Sequence, residues 1–326
     1  MPEITLIEGV TQALAYEMAN DDSVVCLGED IGVNGGVFRA TVGLHERFGE
    51  WRVIDTPLAE SMIAGLSVGM ATQGMRPVAE FQFMGFIYPA YDQIINHAAR
   101  MRNRTRGRLT CPLVFRAPYG GGIHAPEHHS ESTESIFAHI PGLRVVIPSS
   151  PARAYGLLLA AIRDPDPVLF LEPKRIYRLA KEDVPDDGEA LPLDTCFVLR
   201  EGSDITLISW GAMLHETLQV AEKLGEQGIS AEVIDVATIK PLDTDTILES
   251  VEKTGRVAIV HEAPLTCGVG AEIAATIAEH GLTSLFAPIK RITGYDTVMP
   301  YFKLEKHFLP SVERIMAGVK QVLEYE

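Results

Sequence analysis

Short β-branched runs alternate with longer segments of helical period along most of this chain, and few folds accommodate that pattern. The runs "SVVCLG" (23–28), "RVID" (52–55), "RPVAEFQF" (76–83), "PLVFRAP" (112–118), "LRVVIPS" (143–149) and "PVLFLEP" (167–173) read as strands. Helical periods lie between or before them at 4–19, 58–73, 86–105 and 152–163. Strands separated by helices build βαβ units, which predict mainly parallel sheets covered by helices on both faces. The stretch "AKEDVPDDGEALPLD" (180–194) breaks the alternation: it is acidic, rich in Pro and Gly, and aperiodic, as a surface linker would be. Beyond it the alternation restarts. Strands are expected at 204–211, 231–239 and 256–263, helices near 214–227, 243–254 and 270–280, and an amphipathic closing helix in "SVERIMAGVKQVLEY". The expectation is an α/β chain of two unequal domains, 1–185 and 200–326, joined by a linker at 186–199. No internal repeat or low-complexity tract interrupts them.

Composition removes several function classes. With 326 residues, 46% of them hydrophobic, the chain can bury two cores. Its formal net charge of -16 argues against nucleic acid as a partner, because phosphate contacts need a basic face. The four cysteines, Cys26, Cys111, Cys196 and Cys267, are scattered and form no C-x-x-C pair. That excludes a zinc ribbon and fits a reducing compartment, the cytoplasm. No apolar run is long and pure enough to span a bilayer, and "MPEITLIEGV" carries early acids in place of a signal pattern.

Three stretches could carry chemistry. In "DTPLAESMIAGLSVGMATQG" (55–74), Glu60 precedes a long apolar stretch of small residues. Thr56 as N-cap and Pro57 at the first helical position would put Glu60 in the first turn, where the helix dipole favours an acid by about 0.3–1 kcal/mol. Capping alone leaves Gly65, Gly69 and Gly74 unexplained, since each interior glycine costs roughly 1 kcal/mol against alanine. Such glycines imply close approach by a helix or a ligand. In "APYGGGIHAPEHHSES" (117–132), three glycines follow a strand and precede His124, Glu127, His128 and His129. A loop after a parallel strand is a normal ligand site. The same stretch matches the H-x-x-E-H pattern of a zinc metalloprotease through His124, Glu127 and His128. That pattern needs a helix to put both histidines on one face, and Pro126 and the glycines oppose one. The third stretch, "GVGAEIA" (268–274), has Ile273 where a dinucleotide fingerprint has its last glycine, so it does not indicate NAD. There is no P-loop and no G-x-S-x-G.

The order of "VVCLGED", "RVIDTPLAE", "RPVAEFQF", "YPAYDQIINHAAR", "GGGIHAPEHHSES", "PGLRVVIPSSP", "AAIRDPDPVLFLEPKRIYR", "EVIDVATIKPLD" and "KTGRVAIVHEA" resembles the beta subunit of the first, decarboxylating component of the 2-oxo acid dehydrogenase complexes. The likeness covers essentially the whole chain. It implies a pyrimidine-binding domain for thiamine diphosphate followed by a transketolase C-terminal-like domain. It also implies an oxidoreductase of two alpha and two beta chains, which decarboxylates a 2-oxo acid and acylates lipoyl groups on an acyltransferase core.

The resemblance assigns residues as well. Glu60 matches the glutamate that hydrogen-bonds a ring nitrogen of the cofactor's aminopyrimidine and promotes its imino tautomer. A carboxylate in a water-poor cleft prefers sharing a proton with that nitrogen to standing alone. Glu29 matches an acid of the same network; Leu58, Gln82 and Phe86 match the lining of the pyrimidine pocket. His129, with His128 beside it, matches the histidine that faces the substrate and the incoming lipoyl group. Leu113, Ala161, Ile162, Asp164 and Asp166 match positions that surround a potassium ion in some relatives. The chain lacks a G-D-G motif, so the diphosphate and its magnesium are expected on the alpha subunit, with the small-residue helix after Glu60 packed against a neighbour. "FLEPKRIYR" and "HEAPLTCGVGAE" lean towards branched-chain substrates, whereas "GGGIHAPE" resembles pyruvate enzymes. A non-catalytic structural relative and the metalloprotease are the alternatives.

Overall fold

A computed structural model describes residues 3–325, so Met1, Pro2 and Glu326, at the ends of the two expected domains, lie outside the described residues. The chain divides into two compact units, one of residues 3–119 with 136–193, the other of 120–135 with 194–325. The loop 120–135, inside the expected first domain, thus packs with the second unit.

The first unit is built on parallel strands in the order Arg144–Val146, Val168–Pro173, Val114–Tyr119, Arg76–Glu80, Val24–Gly28, Val53–Asp55. Every residue of Val24–Gly28 is buried, as a central strand covered on both faces must be. Helices Leu6–Asn20 and Pro151–Arg163 pack together so closely that a Cβ on Gly9 would stand 2.8 Å from the Pro151 carbonyl oxygen. The first of these helices is opened by Glu8, whose Oε2 accepts both the Thr5 N–H and its hydroxyl at 2.7 Å.

The expected helix at 86–105 does not form as one element. It breaks into turns at Met84–Phe86 and Tyr88–Ala90, a π-helical segment Gln93–Ala98 and a short helix Met101–Arg104. Pro89 cannot donate inside a helix, which accounts for the first break.

Buried in this sheet is a charged group. Arg116 donates from Nε and Nη2 to the two oxygens of Glu172 at 2.6 and 3.0 Å, and from Nη1 to Glu80 at 2.9 Å. Tyr177 donates its hydroxyl to Glu172 at 2.7 Å. All four side chains are buried. Burial pushes the Glu80 carboxyl above its usual range, and the Arg116 guanidinium opposes that push. Burial likewise works against the charge of Arg116, but Glu172 and Glu80 outweigh it and hold the guanidinium protonated.

The second unit holds a sheet in the order Lys290–Gly294, Val257–Pro264, Ile205–Ser209, Ala231–Asp235, Phe197–Arg200, with only the last strand antiparallel. Phe197–Arg200 starts inside the stretch expected as linker, and the expected strand 231–239 splits into Ala231–Asp235 and Thr238–Lys240. Helices Met213–Glu226 and Val312–Leu323 bury Val220, Leu224, Ile315 and Val319 against Leu207 and Val260. In strand Val257–Pro264, His261 is fully buried and stacks on Trp210 with centroids 5.1 Å apart. The G-x-G of 268–270 makes room for that ring, because a Cβ on Gly270 would lie 2.7 Å from His261 Nε2. Burial lowers the imidazole to about 4.

Two outcomes follow from these buried charges. Arg116→Met leaves two buried carboxylates without their cation and is expected to cost about 3–5 kcal/mol, read as a lower denaturant midpoint at unchanged slope. His261 is held neutral: the unfolded chain takes up its proton below about pH 6.5, the folded chain only below about 4. Stability should therefore fall as pH drops through that window, by ~3 kcal/mol from this group. His261→Phe should flatten the dependence between pH 6.5 and 4; an unchanged slope in urea titrations would refute it.

Candidate functional site

At the carboxyl edge of the first unit's sheet, Asp55, Gly28, Glu80 and Arg116 stand side by side in register. This edge is where open parallel sheets bind ligands. The loop leaving Gly28 carries Glu29 and is closely tied. Asp55 accepts the Gly32 N–H at 2.6 Å, the Gly36 N–H reaches the Asp30 carbonyl at 2.8 Å, and Thr41 donates to the Ile31 carbonyl at 2.6 Å. Asp30 stands at φ 57° and Gly36 at φ 80°, in the left-handed region that lets the loop double back. A Cβ on Gly36 would sit 3.3 Å from Glu80 Oε1, so the loop rests on the buried ionic group.

Glu60 is the first residue of helix Glu60–Thr72. The helix starts later than the sequence suggests. Ala59 is the N-cap, with no side-chain cap, because the Thr56 N–H is bonded to the Gly28 carbonyl at 2.9 Å and continues the strand. Glu60 therefore keeps the favourable end of the dipole while its carboxylate caps no backbone group. It comes close enough to Glu29 to act on it. The Glu29 carboxyl is raised above its usual range by burial first, then by Asp30 and Glu60. Among the described residues, neither Glu29 nor Glu60 forms a hydrogen bond or ion pair, and both are half-buried. Two carboxylates within electrostatic reach and without cations are an arrangement that a protonated ring nitrogen, or another outside donor, would relieve.

The glycines of this helix behave differently from one another. Gly65 has ordinary contact with Gln93, with 3.4 Å from a built Cβ to Oε1. Gly69 has nothing within 4 Å, and its neighbours Met62 and Leu66 are exposed. Gly74, at φ 92°, ends the helix in the left-handed conformation and has no interior role. Leu58, just before the helix, is 70% exposed. Gln82 and Phe86 are half-buried beyond strand Arg76–Glu80. A chain of rings with centroids 5.3–5.4 Å apart runs from Phe86 through Phe83 and Phe38 to Tyr177, which joins this wall to the buried charges.

His129 lies in the second unit, in a turn Glu127–His129, with its ring 4.4 Å from that of His128. The metalloprotease reading fails here. His124 stands at φ 61° outside any helix, and its Nδ1 is 2.7 Å from Glu305 Oε2. Its imidazole and that of His128 share no helical face, and no group of three or more His, Cys, Asp or Glu among the described residues could hold a metal. Around the expected potassium positions, the Leu113 carbonyl accepts from Val168 N–H at 3.0 Å, and Arg76 Nη1 donates to the carbonyls of Ile162 and Asp164 at 2.8 and 3.2 Å. Arg144 and Arg102 hold the carboxylates of Asp164 and Asp166 at 3.3 and 2.8 Å. Sequence reasoning missed Asp55, Glu80, Glu172 and Glu305. The first three end or nearly end their strands, a placement that could have drawn attention to them.

The chain matches the pyrimidine-binding domain of transketolase over residues 2–180 and the transketolase C-terminal domain over 194–315. It is 48% identical to the pyruvate dehydrogenase E1 component subunit beta of Bacillus subtilis (strain 168) over 325 residues, all of both chains. It is 50% identical to the 2-oxoisovalerate dehydrogenase subunit beta of the same organism over 327 residues, again all of both chains. Among solved structures, a split gene transketolase described as an inactive beta4 tetramer superposes with a TM-score of 0.79 at 23% identity over 99% of each chain, a likeness of fold. No helix among the described residues is long and apolar enough to cross a membrane.

Proposed function

Because this chain belongs to the beta subunits of the 2-oxo acid dehydrogenase complexes, oxidoreductases built on transketolase-type domains, we propose that its Glu60 controls the proton on the aminopyrimidine of thiamine diphosphate. The observation that carries this reading is the pair of half-buried carboxylates, Glu29 and Glu60, with no hydrogen-bond partner among the described residues. An acid without a cap to serve and the aromatic wall that ends at Phe86 support this reading, with Gln82 and Leu58 as further lining. The bound cofactor supplies the electron sink for decarboxylation. Glu60 would share a proton with a ring nitrogen, and Glu29, its own proton held more tightly by burial, would keep that site poor in free charge. Phe86, Leu58 and Gln82 would exclude water and orient the ring. His129 would face the substrate and the incoming lipoyl group, as proton donor or as anchor for the substrate carboxylate.

The substrate is a 2-oxo acid of the pyruvate or branched-chain type. The partners are an alpha subunit, in an assembly of two alpha and two beta chains, and the lipoyl domain and core of an acyltransferase. An alpha subunit would cover the open face of Met62, Leu66 and Gly69 and hold the diphosphate with its magnesium. A potassium ion at Leu113, Ala161, Ile162, Asp164 and Asp166 would have to compete with the Arg76 guanidinium, which donates to the Ile162 and Asp164 carbonyls. Four free cysteines, three of them buried, suit a reducing cytoplasm.

Glu60→Gln is expected to leave assembly and fold intact and to lower decarboxylation at least a hundredfold, on the order of losing one essential proton-transfer group. The assay is turnover of pyruvate and of a branched-chain 2-oxo acid with an artificial electron acceptor, beside circular dichroism. Unchanged turnover would leave Glu60 a dipole residue and overturn the reading. The isolated chain should bind thiamine diphosphate weakly, and addition of the alpha subunit should restore magnesium-dependent binding in calorimetry. Tight binding by the beta chain alone would contradict a shared site.

A further inference from the structure

The loop 120–135, which carries His128 and His129, is held by two buried carboxylates of its own unit. Glu305 is 2% exposed, although its helix neighbours Phe302 and Leu304 are open to solvent. Its Oε1 accepts the Gly122 N–H at 2.8 Å, and the His124 N–H is shared at 3.3 Å by both oxygens. Its Oε2 also meets His124 Nδ1 at 2.7 Å. His124 reaches this position in the left-handed region, at φ 61°, which costs a residue with a Cβ about 1–2 kcal/mol and persists only where contacts over-determine it. At the far end of the loop Ser132 donates to Glu262 Oε1 at 3.2 Å, and the Gly120 N–H bonds the Glu131 carbonyl at 2.9 Å to close the base.

The three glycines are explained by the same surface. A Cβ on Gly120 would lie 2.0 Å from Glu262 Oε1, and one on Gly121 2.2 Å from Met299 Cε. Gly122, at φ 87°, turns its N–H towards Glu305. These residues have no side chain because the loop backbone is pressed onto the unit that holds it.

We propose that Glu305 is a positioning residue for the reaction: it clamps the start of this loop and so sets where His129 stands. The proposal rests on the reading of His129 given above. An ionised carboxylate can accept from two backbone N–H groups and an imidazole N–H at once. A glutamine keeps one oxygen for the backbone N–H groups but turns its amide towards His124, which removes one acceptor of the shared His124 N–H and forces Nδ1 to accept. An aspartate is one methylene too short to reach all of those donors. A displacement of the loop by about 1 Å is enough to cost roughly a hundredfold in rate without any loss of fold.

The experiment uses the assembled alpha–beta enzyme carrying Glu305→Gln, Glu305→Asp or His124→Ala. Glu305→Gln should keep the wild-type circular dichroism and thiamine diphosphate affinity. It should be cut after Glu127 by a glutamate-specific protease at least fivefold faster, and should lose tenfold or more in kcat/KM for the 2-oxo acid. Glu305→Asp should recover part of both, and His124→Ala, which spares both N–H bonds, should fall between. Wild-type cleavage and kinetics in Glu305→Gln would overturn the proposal; so would faster cleavage with wild-type kinetics, because the loop's position would then not matter. His129→Ala separates the two readings. If it keeps full activity while Glu305→Gln is cut faster, the clamp stands as structure and the assigned role of His129 falls.

Discussion

Arg116, buried between Glu80 and Glu172, is the constraint on which the first unit's working edge depends. The three residues come from adjacent strands, Arg76–Glu80, Val114–Tyr119 and Val168–Pro173, and the guanidinium fixes those strand ends at their carboxyl edge. Taking three charges out of water is costly, and the Coulomb attraction offsets it only where the geometry is good and the remaining lone pairs are satisfied. Here Glu172 is gripped on both oxygens and also accepts the Tyr177 hydroxyl. Two features of the proposed site rest on the group: Gly36 of the Glu29 loop lies against Glu80, and the rings from Phe86 run to Tyr177, which bonds Glu172. A looser apolar core could hold the sheet together, but it would not index the strand ends to one another so narrowly.

How much of this was legible depends on the distance over which each signal acts. Strands such as Val24–Gly28 and helices such as Pro151–Arg163 announce themselves through local period, β-branching and a Ser150 cap, so alternation alone led to two α/β units. Local rules misled where the chain bends. Pro89 and the turns around it broke a segment that hydrophobic period had made into one helix, and Thr56 looked like a cap but remained in the ladder of Gly28. The Arg116 group was invisible because its members lie 36 and 56 residues apart and meet only through register. Glu305 was less legible still, since nothing near it in sequence hints at Gly122 and His124, 183 and 181 residues away. Glu60 and His129, in contrast, are proposed from motifs and resemblance, because chemistry confines residue types more tightly than packing does.

Four carboxylates of this chain contrast in how their oxygens are engaged. Glu172 and Glu305 are buried with their oxygens engaged by N–H or O–H donors. Their lone pairs are committed to donors of the surrounding structure. Such a group can hold a loop or a strand end. Glu29 and Glu60 are half-buried, Glu60 acts electrostatically on Glu29, and neither forms a hydrogen bond or ion pair among the described residues. In the proposed function, a ligand that brings a hydrogen-bonding nitrogen would relieve their repulsion. A helix that begins at Glu60 without a side-chain cap leaves that oxygen free for the purpose. The cost is a site that is electrostatically unsatisfied when alone. The strand ends beneath these two carboxylates are held by Arg116, which Glu172 engages with both oxygens and Glu80 with one.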